Sequence, residues 1–360
     1  MSERPRARAR ELGIDLEGTP GTFNAITDVP GVEVGYATLV EGDDVRTGVT
    51  AILPLGRDGV GCSCPAGWSA LNGNGELTGT HWLTETGALA LPVGITNTHA
   101  VGPVHRGIVE WSVAQRPELG DRWLLPVVGE TWDGYLNDLN GRHVTAETVV
   151  DALDRAAPGP LAEGSVGGGT GMNVYGYKGG TGTASRVVEV AGAEHTVGVL
   201  TQANFGARRE LTIAGRRVGR VLAHDDNPIE DSYALAPPGA GSCICVVATD
   251  APLLPAQCTA LARRVPLGLA RTGTTGSHYS GDLFLAFSAT NMGALDSDMY
   301  VSGTAQLEFV PWGLIDPLYE AVVQAVEESV LNVLAASETV VGRAGHVSPG
   351  FPAGRLDELL

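Results

Sequence analysis

The first half of the chain alternates short apolar runs with glycine, and this punctuation constrains the fold more than any other feature. GVEVGYATL, TGVTAILPL, GALALPVGITNT and RWLLPVVGE are bounded by turn formers and carry β-branched or aliphatic side chains, the pattern of strands. Helical spacing is rarer. It spans roughly 101–115, then 145–157, where Val149, Leu153 and Ala156 recur before Pro158, and a third span runs from about Leu254 to Ala270. The clearest helix lies near the C-terminus: Asp316 is placed to cap, Pro317 fits the first turn, and Leu318, Val322, Val326, Val330 and Leu334 repeat every four residues. Strands and helices mix without a regular βαβα beat, and no repeat, low-complexity block or linker divides them. A single domain of α/β (α+β) class over 1–360 is expected.

A chain of 360 residues, 43% of them hydrophobic, can bury a large core. Its net charge of −18 argues against nucleic acid or an anionic membrane as partner, because a phosphate-binding surface needs clustered Lys and Arg. No window reaches the length of an apolar membrane span, and MSERPRARARELG lacks the apolar core of a secretory signal, so a cytoplasmic protein is expected. Five cysteines, at 62, 64, 243, 245 and 258, fit reduced thiols better than a disulfide framework. Lys178 is the only lysine, which removes most lysine-based mechanisms.

The obvious motifs fail on inspection. VGGGTGM (166–172) and YKGGTGTASR (177–186) do not scan as G-x-G-x-x-G or as a phosphate loop, and their spacing favours turns. The eight histidines are scattered, and His224-Asp225-Asp226, the one metal-like cluster, reads better as a solvated loop. No metal and no cofactor is expected. No G-x-S-x-G elbow surrounds any serine, and a Ser-Lys dyad would have to use Lys178.

One seam differs. The acidic, proline-bearing stretch 225–241 leads into a dense strand pattern from Ser242 to Ala248, so Gly241-Ser242 joins flexible to β-prone sequence. If the peptide bond before Ser242 is cut, that residue holds a hydroxyl nucleophile and a free α-amine together. Such an amine titrates near 7.7–8.0 and can act as the base. Gly241 tolerates the strained backbone from which the hydroxyl would attack. Taken alone, the dipeptide reads more readily as a glycine turn feeding a buried strand. Downstream, in SHYSGDLFLAFSATN, Ser280 and Asp282 are two apart, either on one face of a strand pointing into a site or in a β-turn about Gly281.

GSCICVVATDAPLLPAQCTALARRVPLGLARTG and SGDLFLAFSATN resemble the L-aminopeptidase/D-esterase family of self-cleaving N-terminal serine peptidases, which includes the β-aminopeptidases. NAITDVPGVEVGYATL, TGVTAILP, LNGNGELTG, ITNTHAVG, ETWDGYLND, GTGMNVYGYKGGTGTASR and TQANFGARREL extend the likeness over nearly the whole chain. The resemblance implies a four-layer αββα sandwich like that of N-terminal nucleophile hydrolases but with different strand connectivity. It implies cleavage between Gly241 and Ser242 into chains 1–241 and 242–360, with Ser242 as nucleophile and Ser280 and Asp282 as its supporting hydroxyl and carboxylate. Tyr135 and Asn204 would donate to the oxyanion, Asp133 would face the substrate's ammonium group, and Cys243 would be a rival nucleophile if cleavage slipped by one residue. Small peptides, amides or esters with a free amino terminus are the implied substrates, and a homo-oligomer, a tetramer of processed pairs, the implied assembly. The competing readings are an acyltransferase of the ornithine acetyltransferase type, which uses threonine, and a non-catalytic binding protein on the same scaffold.

Overall fold

The computed structural model describes residues 7–232, 239–297 and 303–360. The glycine-punctuated runs form a four-stranded sheet of β1 (Glu33–Glu41), β2 (Val45–Leu53), β5 (Val93–Asn97) and β6 (Val127–Thr131), in that order. A six-stranded sheet contains β3 (Cys64–Gly73), β4 (Ala88–Leu89), β7 (Gly180–Val190), β8 (Ala193–Gly206), β9 (Gly239–Thr249) and β10 (Ser280–Ser288), ordered β4-β3-β10-β9-β8-β7. The two-residue strand β4 and the start of β6 at Val127 show how proline shortens an apolar run: Pro92 and Pro126 each lack the N–H a ladder requires.

Among the helices of the described residues, α1 (Val101–Gln115), α2 (Ala146–Asp154), α3 (Pro255–Ala262), α4 (Val265–Arg271) and α5 (Asp316–Ala335) lie on the outer faces. The helix expected over 254–270 is two helices, because Arg263 and Arg264 close the first and Pro266 falls in the opening turn of the second. In α5, Asp316 is the first helical residue and Ile315 occupies the cap position, with no side-chain cap bond.

Three apolar layers alternate with these elements. Val49, Ala51, Leu53 and Val128 pack with Ile108, Val149 and Leu153 under α1 and α2. Ile52, Val93 and Ile95 meet Leu200, Ile244, Val246 and Leu285 between the sheets. Cys245, Val247, Phe284 and Ala286 meet Leu318, Val322 and Val326 beneath α5. The order helix, sheet, sheet, helix is the αββα sandwich. Each fully buried aliphatic or phenyl side chain in these layers contributes roughly 1.5–3 kcal/mol.

The glycine-rich YKGGTGTASR, expected to form turns, is largely strand: β7 starts at Gly180. Its glycines serve close packing instead. A methyl group at Gly182 would run into the carbonyl oxygen of Ser329 on α5, so the glycine lets the helix lie close against β7 there. VGGGTGM does turn, through a single 3-10 turn at Gly167–Gly169.

Candidate active site

β9 begins at Gly239, so the Gly241-Ser242 peptide lies inside the strand and not in a loop before it; residues 233–238 of the expected loop fall outside the described residues. Asn204 of β8 stands opposite Ser242 in antiparallel register and Gly281 of β10 beside it in parallel register. Gly239 has φ +91°, whereas Gly241 lies outside the left-handed region. Gly241 is needed for space, because a methyl group there would collide with the carbonyl oxygen of Asn204.

Alternation along β9 decides which way each side chain points. Ile244, Val246 and Ala248 fill the layer between the sheets, while Cys243, Cys245 and Val247 face the helices, so Ser242 belongs to the inter-sheet side. There it lines a cavity of ≈ 1080 Å³, together with Asn204, Tyr135, Glu130, Trp132 and Tyr279. The Ser242 hydroxyl donates to the Gly241 carbonyl oxygen at 2.6 Å, which holds it against the peptide it would attack.

Asn204 is fixed at both ends of its amide. Its Oδ1 accepts from the Asn173 N–H at 2.8 Å and its Nδ2 donates to the Trp132 carbonyl at 2.9 Å, leaving the second N–H of the amide for the cavity. The Tyr135 hydroxyl lies 3.2 Å from the Pro228 carbonyl oxygen and 3.1 Å from that of Val347, and its ring stacks on His346.

Ser280 and Asp282 do share one face of a strand: the Ser280 hydroxyl donates to Asp282 Oδ1 at 2.7 Å. That face is the helix side. Phe284 and Ala286 continue it, and the parallel register sets Asp282 beside Cys243. Neither residue lines the cavity. Asn72 Nδ2 donates to Asp282 Oδ2 at 2.8 Å, and burial raises the carboxyl against the pull of these bonds. The thiol of Cys243 is on this side too, and burial holds it well above its ordinary range, which removes it as a rival nucleophile on the cavity side.

Asp133 departs from its expected place. It is fully buried and does not line the cavity; its Oδ1 accepts from Asn137 Nδ2 at 3.2 Å, and Thr47 and Asn97 lie beside the carboxyl. Burial raises it to about 6, with those hydrogen bonds opposing. The turn Asp133–Asn137 carries this carboxyl away from the cavity wall that Trp132 and Tyr135 form. Glu130, three residues before Asp133 and still within β6, does line the wall. Its Oε1 accepts from the Glu76 N–H at 2.8 Å, its Oε2 accepts from Thr98 Oγ1, and burial raises it. Glu130 stands in the quoted ETWDGYLND block, and the alternation of β6 was the signal that would have separated it from Asp133.

Lys178 is no base for Ser242. It is completely buried, and its Nζ donates to the carbonyls of Gly169, Met172 and Gly179. Asp225 of the metal-like cluster pairs with Arg355 at 2.6 Å, and among the described residues no three His, Cys, Asp or Glu side chains converge as metal ligands. All five cysteines are free.

The chain is similar to known proteins over nearly its whole length. Residues 24–348 match the model of peptidase family S58. The chain is 46% identical to the β-peptidyl aminopeptidase BapA of Sphingosinicella microcystinivorans, over 98% of this chain and 91% of that one. It superimposes on the L-aminopeptidase D-Ala-esterase/amidase of Ochrobactrum anthropi, a variant of the Ntn hydrolase fold, with TM-score 0.91, 43% identity and coverage of 99% and 98%. A Burkholderia sp. β-aminopeptidase gives TM-score 0.89 at 45% identity, covering 98% of each chain.

Proposed function

The chain belongs to peptidase family S58, and from that premise we propose that it cleaves itself between Gly241 and Ser242 and then removes N-terminal residues from small peptides, amides and esters. It is a hydrolase, a serine aminopeptidase with amidase and esterase chemistry. The acyltransferase alternative is not favoured, since the relatives are aminopeptidases. The observation that carries the self-cleavage reading is the Ser242 hydroxyl resting on the carbonyl group of its own preceding peptide.

In self-cleavage the Ser242 oxygen attacks the Gly241 carbonyl carbon, the C–N bond breaks, and an ester links Gly241 to Ser242 with the amine now free. Water hydrolyses that ester, giving a Gly241 carboxylate and the mature N-terminus. In turnover the same oxygen attacks the substrate carbonyl while the α-amine accepts the hydroxyl proton and passes it to the leaving group. A water then releases the acyl group. The second N–H of Asn204 and, once turned from its carbonyl partners, the Tyr135 hydroxyl receive the developing oxyanion. The α-amine is a backbone atom in the plane of the sheet, so it stands between the cavity face and the face that carries Ser280 and Asp282. From there the hydroxyl and carboxylate can orient and charge-balance it without entering the cavity.

Glu130 is the better partner for the substrate's ammonium, because it is the buried carboxylate on the cavity wall. Asp133 stands behind that wall. The names of the relatives, β-peptidyl aminopeptidase and L-aminopeptidase D-Ala-esterase/amidase, extend the proposed substrate class to β-residues, L-residues and D-alanine esters and amides. The free thiols support a cytoplasmic location, and no helix among the described residues is long and apolar enough to cross a membrane. Assembly as a homo-oligomer of processed pairs is part of the proposal.

Intact-mass analysis of purified protein tests it. Wild type should give fragments 1–241 and 242–360, and Ser242→Ala a single inactive chain; light scattering on the same samples reads the assembly. Undiminished hydrolysis by unprocessed wild-type protein would sink the mechanism, and a monomeric active enzyme the assembly.

A further inference from the structure

The sole lysine of the chain is buried, its hydrogen-bond partners among the described residues are carbonyls, and its segment lines the active-site cavity at Asn173 and Gly176. Its three N–H groups meet three carbonyl oxygens: Gly169 at 3.3 Å, Met172 at 2.9 Å and Gly179 at 2.7 Å. Gly169 and Met172 belong to the glycine turn before Asn173, and Gly179 directly follows the lysine. The backbone reinforces the same knot. Gly179 N–H donates to the Met172 carbonyl at 2.7 Å, and Asn173 pairs with Lys178 in a two-stranded ribbon.

Asn173 is where this knot meets the chemistry. Its N–H donates to Asn204 Oδ1, which decides which end of the Asn204 amide faces the nucleophile. With Oδ1 held there, Nδ2 must turn toward Trp132 and the cavity. An amide rotated by half a turn would present a carbonyl oxygen to an oxyanion and repel it. Ser348 holds Asn173 from the other side, its hydroxyl donating to Asn173 Oδ1 at 2.6 Å.

We propose that Lys178 is a positioning residue for turnover: by gathering the carbonyls of Gly169, Met172 and Gly179, it fixes the Asn173 N–H and through it the orientation of the Asn204 oxyanion donor. The inference rests on the reading of Asn204 as that donor. An ammonium supplies three N–H donors from one point, which no neutral side chain does, and three converging carbonyls left without it would repel one another. Burial draws the amine down to about 7, as expected of a lysine surrounded by carbonyl dipoles.

A double-mutant cycle on processed enzyme, with active sites titrated and folding checked by thermal melts, tests the proposal. Asn204→Ala should lower kcat by roughly 10²–10³-fold. Lys178→Met should lower kcat by on the order of tenfold or more and leave KM within about threefold, while the double variant should be about as slow as Asn204→Ala alone. If the two losses multiply, or if Lys178→Met keeps kcat within about twofold, the proposal is overturned while Asn204 retains its role. If Asn204→Ala itself keeps full kcat, the oxyanion reading falls first. Should Lys178→Met not fold, Lys178→Gln takes its place in the cycle; should that fail as well, Ser348→Ala, which loosens Asn173 from the opposite side, decides. A loss of kcat that vanishes in the Asn204→Ala background supports the proposal, and an unchanged or independent kcat overturns it.

Discussion

At the scale of single residues, three carboxylates that lie close in sequence or function do different work because of where their side chains end. Asp282 backs the seam from the helix side, Asp133 is sealed into a polar pocket of amides and a hydroxyl, and only Glu130 reaches the cavity. An ammonium paired with a buried carboxylate gains roughly 1.5–3 kcal/mol, or about ten- to a hundredfold in rate for a substrate that carries the charge. Free-amine p-nitroanilides of alanine and β-alanine should therefore outrun their N-acetylated twins by that factor in wild type. Glu130→Gln should close most of the gap, and Asp133→Asn should leave it open. If Asp133→Asn closes the gap instead, the ammonium assignment returns to Asp133.

Elements set the precision of the site. Ser242, Asn204 and the Glu130 wall come from three strands of two different sheets, so their spacing depends on how those sheets pack. Ile244 is the nearest inward residue of β9 after Ser242, is fully buried, and lies against Gly129 of β6, where any added carbon would touch it. Ile244→Ala should cost about 2–5 kcal/mol of stability through transfer and cavity terms. It should also lower kcat more than its loss of stability explains, since β6 and β9 can then shift relative to one another. Denaturant titration beside kcat at a temperature where the variant is fully folded checks both; an unaltered kcat would mean that the sheets hold register without this contact.

For the whole molecule, buried carboxyls govern how stability varies with pH. Burial raises Asp133 to about 6 and Glu163 to about 7, the latter despite its ion pair with Arg8 at 2.7 Å. In the unfolded chain both titrate near 4. Below about pH 4 both states hold the protons and nothing is lost. Between there and pH 6–7 the folded state keeps protons that the unfolded state releases, so stability falls as pH rises, by up to about 3 kcal/mol for Asp133. Asp133→Asn should flatten that decline between pH 4 and 7, measured as the denaturant midpoint against pH. A profile parallel to wild type would show that Asp133 is ionised throughout the range.

How much of this was written in the sequence follows from the range of the interactions involved. The β-runs, the helix 101–115 and the four-residue repeat of α5 depend on neighbours a few positions apart, and local pattern records them. The nucleophile candidate was equally local, since hydroxyl and amine share one residue. Period-two alternation offered a shared face for Ser280 and Asp282 beside a β-turn about Gly281, and the strand pairing decided for the face. Which face it is depends on the parallel register of β9 with β10, a pairing across some forty residues that no local spacing encodes. The same holds for Gly182, a turn former by composition whose strand role comes from a helix nearly 150 residues later, and for Gly241, which is required by the Asn204 carbonyl and not by its own φ. Sequence thus determined the elements and the chemistry available to them, while tertiary packing decided which side of each sheet that chemistry faces, because side-chain direction is local but the identity of the opposite layer is not.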